Sequence, residues 1–450
     1  MPTPGFGDQT VRDQAVRESA VRDLGFRDTV GLWANLGISL LLPAAAAYAL
    51  LPGRPLSVTV LAIVVGAVIG ATLLGLGAAA GAREGVPAMV LLRGLLGRRL
   101  SGLPTVLNIA QCVGWATFEI MIIASVGARA LDAPFWPFAL AAGALATVMA
   151  VRPVAAMRVL ARYLVWVAVA VVAYLFVRVL SQPLPPVTAG DPGGGSFWVA
   201  VDVVIALPVS WFPLAADYTR HVRGARPALF GSALGYGAAT VAFFLLGVLA
   251  LAAYGRSGLD VIDALLAVPL GLVAVLVLLV VEVDEAFANI YSTALSAGNL
   301  ASRLDRRVLA VVVGALSTVL ALAFDGGAYE PFLFLIGAVF VPLIGVFLVV
   351  YHLPRGTWDV SDHAPSRPWL LLPWAAGFAA FQLTLPTQLT GVGAGWPAWW
   401  TARQQDLGIA ADNGWSASLV SLAVAVALTL LIRLPALTRR REAVTAESGP

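Results

Sequence analysis

The sequence predicts an all-α polytopic membrane protein with about twelve transmembrane helices. Hydrophobic residues make up 60% of its 450 residues and charged residues only 12%, whereas an ordinary soluble domain has roughly 45–50% and about 25%. The hydrophobic residues also form runs close to the roughly 20 residues that a membrane-spanning helix needs. These two observations exclude a soluble enzyme, a disordered chain and a disulfide scaffold. The short alternating segments of a membrane β-barrel are not visible.

Twelve apolar runs follow one another along the chain, and we number them spans 1 to 12. Their approximate limits are 29–51, 57–80, 103–128, 135–151, 159–180, 196–217, 228–254, 265–299, 307–324, 329–351, 369–387 and 415–433. Residues 1–28 and 434–450 are polar and are predicted to be terminal tails. No cleavable signal peptide is expected, because no apolar region with a small-residue cleavage site precedes span 1.

The basic residues are all arginines and are distributed unevenly between the two sides of the membrane. If the spans alternate in direction, 23 of the 28 fall on the side of the two tails. We call this side the arginine-rich face. The five on the opposite face are Arg54, Arg129, Arg178, Arg256 and Arg403. Because cytoplasmic loops carry the excess of positive charge, both tails are predicted to be cytoplasmic and the protein to lie in the cytoplasmic (inner) membrane.

Spans 1 and 6 both contain helix-breaking residues. Span 1 carries Gly37 and Pro43, and span 6 carries Pro208 and Pro213. Proline removes a backbone donor from a helix, and the groups freed within a membrane must be buried in protein or line a cavity. Paired interruptions at corresponding places in two halves point to a transporter binding site.

The two breaks therefore divide the chain into repeats. We predict a first repeat over 29–180, a second over 196–351 and two further spans over 369–433. Candidate substrate contacts at the breaks are Ser39, Leu207, Val209, Ser210 and Trp211.

Span 3 carries a polar stripe. Asn108, Gln111, Trp115 and Glu119 follow steps of 3, 4 and 4 residues and so share one helix face. For Asn108 and Gln111 we favour hydrogen bonds to a neighbouring helix, and Gln111 is also kept as a candidate substrate contact. The indole of Trp115 suits the face of a flat heteroaromatic ring. The carboxyl group of Glu119 suits ring N–H or amino groups at the edge of that ring.

Span 8 contains three acids within four residues. Glu282, Asp284 and Glu285 lie inside an apolar run and are followed by Asn289. Acids at membrane depth are usually functional, and hard cations take oxygen ligands. Gly37, Asp284, Glu285 and Asn289 are therefore candidates for cation coupling, with a candidate Na⁺ position near Gly37, Glu285 and Asn289; a proton carried by a carboxyl group is the alternative. Asn289 is also a candidate substrate contact.

The roles of the two acids of span 6 are less clearly indicated by the sequence. Asp217 is expected to form an ion pair with Arg220, and the role of Asp202 stays open.

Motif searches exclude several other functions. A Walker-type loop requires lysine, which the chain lacks, and neither His-Glu-x-x-His nor Gly-x-Ser-x-Gly occurs. The single cysteine, Cys112, allows no intramolecular disulfide. We therefore expect no enzyme activity, no cofactor other than a coupling Na⁺ or H⁺, no nucleic-acid partner and no obligate protein partner. The expected partners are a small heterocycle and the lipid bilayer.

Several segments resemble a known family, the nucleobase–cation symporter family one, or purine–cytosine permease family. They are the segment from Ala82 to Gly97 with Arg93, the motif Gly114-Trp-Ala-Thr-Phe-Glu119, the segment from Ser210 to Arg220, and the segment from Asp284 to Ser292. Within the family, the motif from Gly114 to Glu119 and the segment from Asp284 to Ser292 are most similar to the hydroxymethylpyrimidine transporters, which supply a thiamin precursor.

The resemblance implies a fold and a set of roles. The fold is the leucine-transporter type, with two inverted five-helix repeats, broken helices 1 and 6 and two further helices. Trp115 matches the family's stacking tryptophan, and Glu119 stands where many members have glutamine. Relatives that use sodium bind it between the helix 1 break and two adjacent polar residues of helix 8. The corresponding positions in this chain are Ala288 and Asn289. Alanine has no side-chain oxygen that could bind sodium. Asp284 or Glu285 would therefore supply the missing oxygen ligand, or would carry a proton instead of sodium.

The sequence therefore predicts a secondary transporter that imports a pyrimidine-type heterocycle by cation-coupled alternating access. Hydroxymethylpyrimidine and a cytosine-like nucleobase are both candidate substrates. The alternatives are an amino-acid or amine transporter of the same fold, which would hold a ligand carboxylate at the helix breaks, and a membrane receptor that binds without transporting.

Overall fold

The computed structural model describes residues 22–51, 53–151, 165–183, 196–254, 260–300, 305–324, 326–353, 358–387, 394–411 and 413–447. Within these ranges the chain is helical and forms no strand, apart from one isolated bridge between Leu24 and Val222. Six of the described helices are long and apolar enough to cross a bilayer. The predicted all-α fold class is confirmed.

The first half of the chain contains eight described helices. They are α1 (Phe26–Asn35), α2 (Leu41–Ala49), α3 (Leu56–Glu84), α4 (Ala88–Leu91), α5 (Arg93–Leu96), α6 (Gly102–Leu131), α7 (Phe135–Val151) and α8 (Val165–Leu180). Helices α1 and α2 form span 1, α3 forms span 2, and α6, α7 and α8 correspond to spans 3, 4 and 5. The first residues predicted for span 5 lie outside the described residues.

The second half contains ten described helices. They are α9 (Phe197–Ser210), α10 (Phe212–Thr219), α11 (Ala225–Tyr254), α12 (Asp260–Leu266), α13 (Gly271–Leu300), α14 (Arg306–Ala323), α15 (Tyr329–His352), α16 (Leu371–Thr384), α17 (Gly395–Asp406) and α18 (Ala417–Glu447). Helices α9 and α10 form span 6, and α11, α13, α14, α15, α16 and α18 correspond to spans 7 to 12. The short helices α4, α5, α12 and α17 were not predicted.

Both expected interruptions are present, but their positions are set by different residues. Span 1 is open from 36 to 40, and Pro43 lies in the first turn of α2, where a missing N–H has no intrahelical partner to lose. In span 6 only Trp211 separates α9 from α10. The break of span 1 is therefore wider than that of span 6 and precedes its proline.

The packing follows a two-fold pattern that matches two inverted repeats. Helix α3 packs against α9 of the second repeat, and its counterpart α11 packs against α1 of the first. Likewise α6 packs against α14, and α13 against α7. Glycines allow the close approach: an added Cβ at Gly70 of α3 would lie 3.0 Å from the Ile205 carbonyl oxygen, and one at Gly235 of α11 would lie 2.5 Å from that of Val30.

The two acids of span 6 accept hydrogen bonds from segments outside that span. Asp202 accepts hydrogen bonds from the Ser416 hydroxyl at 2.6 Å and from the backbone nitrogen of Ala417 at 2.7 Å, and so caps α18. Asp217 and Arg220 do not form the expected direct ion pair, although Arg220 still interacts electrostatically with Asp217. Asp217 accepts from the backbone nitrogen of Ala88 at 2.9 Å, whereas Arg220 donates to its neighbour His221.

Candidate substrate site

A small cavity lies where the breaks of spans 1 and 6 meet α6, α11 and α13. Its wall consists of Ser39, Leu41, Leu42, Trp115, Glu119, Leu207, Ser210, Trp211, Leu214, Tyr236, Glu285 and Asn289. The two interruptions therefore enclose one common space, and side chains from five spans converge on it.

Most of the residues singled out from the sequence lie on this wall. Seven of the nine candidate substrate contacts line it, together with Glu285 from the cation candidates. Gln111 does not: its amide donates to the Ser210 carbonyl at 2.8 Å and to Asn108 at 2.9 Å, so it satisfies the backbone freed at the span 6 break. Val209 is fully buried in the hydrophobic core.

Four residues of the wall were not predicted from the sequence, namely Leu41, Leu42, Leu214 and Tyr236. The three leucines are indistinguishable in sequence from the many leucines that face lipid or core. Tyr236 carried a usable signal, because it is a polar aromatic residue between two glycines inside the apolar run of span 7.

Aromatic clusters lie on both sides of the cavity. Toward the arginine-rich face, Trp33, Trp211, Tyr218 and Tyr236 pack largely edge to face, with Trp33 and Trp211 5.9 Å apart between ring centroids. Toward the opposite face, Trp115, Phe118, Tyr329 and Phe332 form a second cluster, which Tyr48 joins. Each cluster contributes one indole to the cavity wall, Trp211 from the first and Trp115 from the second.

The opened backbone of span 1 is held by Glu282 of α13. Glu282 Oε2 accepts from the Leu40 backbone nitrogen at 2.6 Å, and Oε1 accepts from the Ser39 hydroxyl at 2.9 Å. The Ser39 hydroxyl oxygen in turn accepts from the Leu41 nitrogen at 3.1 Å. The carboxyl group therefore lies at the N-terminus of α2, where unpaired N–H groups favour negative charge.

Three carboxyl groups meet beside the cavity. Those of Glu282 and Glu285 are neighbours of Glu119, and all three side chains are at most 6% exposed. On the cavity wall, three polar atoms are buried without a hydrogen-bond partner, namely Glu119 Oε2, Glu285 Oε1 and Trp115 Nε1. Unpartnered polar atoms on a cavity wall are groups that a ligand can satisfy.

Asp284 is placed at the other end of the span 1 break. Its Oδ2 accepts from the amide of Asn35, the last residue of α1, at 3.0 Å. Gly37 lies in the same break, packed so closely on α11 that an added Cβ would come within 2.6 Å of Ala239. Ala288 instead packs among the aromatic residues around Trp33. In the described part of the chain, no group of three or more acidic, histidine or cysteine side chains is arranged to hold a metal ion.

Comparison with known proteins identifies the family. Residues 18–367 match the family model described as permease for cytosine/purines, uracil, thiamine, allantoin. The chain belongs to this permease family. Among its relatives, the cytosine permease of Escherichia coli strain K12 is 26% identical over 314 residues, which cover 67% of this chain and 72% of that protein. The permease is accordingly a transport protein and not an enzyme.

Solved structures show the fold of the permease. The transporter Mhp1 of the nucleobase-cation-symport-1 family, closed with bromovinylhydantoin bound, matches with a TM-score of 0.73 at 18% identity, covering 94% of this chain and 95% of Mhp1. A Na⁺-coupled sialic acid symporter in a substrate-bound outward-open state matches with a TM-score of 0.62 at 12% identity, covering 94% and 92%. The expected leucine-transporter-type arrangement, with two inverted repeats and two further helices, is confirmed.

Proposed function

We propose that this permease imports a pyrimidine-type heterocycle by cation-coupled alternating access. The candidate substrates are hydroxymethylpyrimidine, a thiamin precursor, and a cytosine-like nucleobase. The observation that carries the proposal is the cavity in which Trp115 and Trp211 contribute indoles and Glu119 contributes a carboxyl oxygen without a partner. The family and its cytosine-permease relatives support the same substrate class.

The wall supplies the contacts that such a ring requires. The indole of Trp115 provides an apolar surface for the ring face. At the ring edge, Glu119 Oε2 accepts from amino or ring N–H groups, and Asn289 provides both a donor and an acceptor. A ring that lacks amino groups would leave the Glu119 oxygen unsatisfied, which costs binding free energy.

The span 1 break provides the position for the coupled cation. The C-terminus of α1 carries partial negative charge, and Asp284 lies against the last residue of that helix. In this proposal Asp284 and backbone carbonyl groups of the break would supply the oxygen atoms that Na⁺ prefers, and the carboxyl group would alternatively carry a proton. Glu285 and Asn289 of the same helix, α13, lie on the cavity wall. Substrate and cation would therefore both contact α13.

The two aromatic clusters provide the alternation. Opening the cluster around Trp33 would connect the cavity with the arginine-rich face, and opening the cluster around Tyr329 would connect it with the opposite face. We place the arginine-rich face and both tails in the cytoplasm, and the permease in the inner membrane, because positive charge is retained on the cytoplasmic side.

Uptake of labelled cytosine and hydroxymethylpyrimidine into proteoliposomes, with imposed Na⁺ or H⁺ gradients, tests the proposal. We expect uptake of at least one of them, and a loss of about tenfold or more in Glu119→Gln and Trp115→Ala. Thr117→Val is the matched control. Thr117 lies on the same helix, α6, and its hydroxyl donates a hydrogen bond to the backbone carbonyl of Val113 in that helix. Normal uptake in both site variants would contradict the assignment of the site, and binding without uptake would indicate a receptor.

A thermal-shift screen with nucleobases, amino acids and amines separates the remaining alternative. An amino-acid or amine carrier would be stabilised by those compounds and not by heterocycles.

A further inference from the structure

We propose that Glu282 is a charge-selectivity residue: its carboxylate permanently occupies the anion position at the N-terminus of α2 and thereby excludes anionic substrates. The proposal deepens the proposed function, since it concerns the charge of the heterocycle that the same cavity accepts. Nothing in the sequence pattern gave Glu282 this role.

The geometry is that of a bound anion. Glu282 Oε2 accepts from the Leu40 nitrogen at the N-terminus of α2 at 2.6 Å, and Oε1 accepts from the Ser39 hydroxyl at 2.9 Å. The Leu41 nitrogen is bound indirectly, because it donates to the Ser39 hydroxyl oxygen at 3.1 Å. All of these residues are buried. In transporters with broken helices, such half-helix N-termini point at anionic groups of the substrate. Here the carboxylate of Glu282 occupies the position at the α2 N-terminus.

The side chains around Glu282 provide no basic partner for an anion. Glu119 on α6 and Glu285 on α13 lie next to Glu282, and both line the cavity. The twelve wall residues include no arginine or histidine. A carboxylate that entered this space would lie beside carboxyl groups in a medium of low dielectric, and the Leu40 N–H at the α2 N-terminus would already be taken by Glu282. A neutral or cationic ring would meet acceptors instead.

A purely structural cap makes a different prediction. If Glu282 only fixed the span 1 break, its replacement would lower stability and weaken all ligands alike. If it sets the charge selectivity, removal of its charge changes the ratio between a neutral ligand and an anionic one. Cytosine and orotate suit this comparison, because both are pyrimidines and orotate carries a ring carboxylate.

The first measurement is the affinity for cytosine and orotate in purified wild type and Glu282→Gln, followed by tryptophan fluorescence. Glutamine keeps the size and one acceptor oxygen but removes the charge. We expect wild type to bind orotate much more weakly than cytosine, and the orotate-to-cytosine affinity ratio to rise about tenfold or more in Glu282→Gln. An unchanged ratio would reduce Glu282 to a structural cap and overturn the proposal.

The second measurement needs no heterocycle. Glu282→Ala exposes the α2 N-terminus, so acetate or formate should raise its unfolding temperature by several degrees, whereas bulky gluconate should not. Glu285→Ala is the matched control, because it also removes a buried carboxyl group of α13 but frees no helix N-terminus. Equal effects of acetate on both variants, or none on Glu282→Ala, would contradict the resident-anion geometry.

The two measurements also separate this proposal from the proposed function. Acetate rescue of Glu282→Ala together with no pyrimidine binding by wild type would uphold the resident anion and reject the substrate class. Cytosine binding without acetate rescue and without a changed ratio would uphold the substrate class and reject the role of Glu282.

Discussion

Asn35, the last residue of α1, donates a 3.0 Å hydrogen bond to the carboxylate of Asp284 on α13. Two residues earlier on α13, Glu282 holds the beginning of α2. The two ends of the span 1 break thus face two acids, but only Glu282 meets the positive end of a helix dipole. Asp284 meets the negative end, and no ion pair joins it to a basic side chain of the described residues. These contacts support the proposed position of the coupled cation at this end of the break.

We therefore expect Asp284→Asn to abolish the stimulation of transport by the coupling cation. Coupling free energies between two ligands are typically about 1–3 kcal/mol, or roughly 5–150-fold in affinity, and most of that gain should disappear. Substrate affinity measured with and without the cation checks this. Asp263→Asn is the control, because Asp263 forms a partly exposed ion pair with Arg129 away from the cavity. Full cation stimulation in Asp284→Asn would place the ion elsewhere.

The close packing of Gly37 makes a second prediction. An added Cβ at Gly37 would lie 2.6 Å from the Cβ of Ala239, so Gly37→Ala must displace α11 or the break. We expect it to lower stability by about 1–3 kcal/mol. Gly31→Ala is the matched control on the same span, since nothing lies within 4 Å of its added Cβ, and alanine favours the helix. Unfolding temperatures in detergent compare the two, and equal values would contradict the packing at the break.

Part of this site could be predicted because a helix fixes which of its own residues share a face. The steps between Trp115, Glu119 and their neighbours placed them on one side of α6 before any partner was known, and both line the cavity. The pairing of the broken spans was likewise visible from Pro208 and Gly37.

What could not be predicted depends on how one helix is turned and shifted against another. Glu282 and Leu40 are 242 residues apart, and the sequence does not specify that they meet. Gln111 has the spacing of a cavity residue, but its amide reaches the carbonyl of Ser210. Pro43 indicates a break, yet the backbone opens before it because proline fits the first turn of the following helix.

The single cysteine provides a third prediction, about opening toward the arginine-rich face. Cys112 is fully buried and packs in the cluster of Trp33 and Trp211. Labelling of its thiol by a maleimide should be slow in wild type and several times faster in Trp33→Ala, which removes the central ring of the cluster. Labelling followed by mass spectrometry measures the rate, and wild type in denaturant gives its upper limit.

The control for this labelling experiment is Phe332→Ala, which removes a ring from the cluster on the opposite face. It should leave the rate close to that of wild type, because Cys112 belongs to the other cluster. Similar acceleration in both variants would mean that the loss of any ring loosens the bundle, and that the two clusters do not close separate routes.

The fourth prediction concerns Asp202, which we expect to stabilise the fold without taking part in transport. Its carboxylate accepts from the Ser416 hydroxyl at 2.6 Å and from the Ala417 and Ser418 nitrogens at 2.7 and 3.1 Å, so it ties span 6 to the beginning of α18. Asp202→Ala leaves these buried donors unsatisfied, and we expect it to cost about 1–3 kcal/mol of stability. Ser416→Ala removes one of the three bonds and should cost less. Neither variant should change the affinity for substrate or cation. If Asp202→Ala instead kept its unfolding temperature and lost cation stimulation, the acid would belong to the coupling pathway and not to the cap of α18.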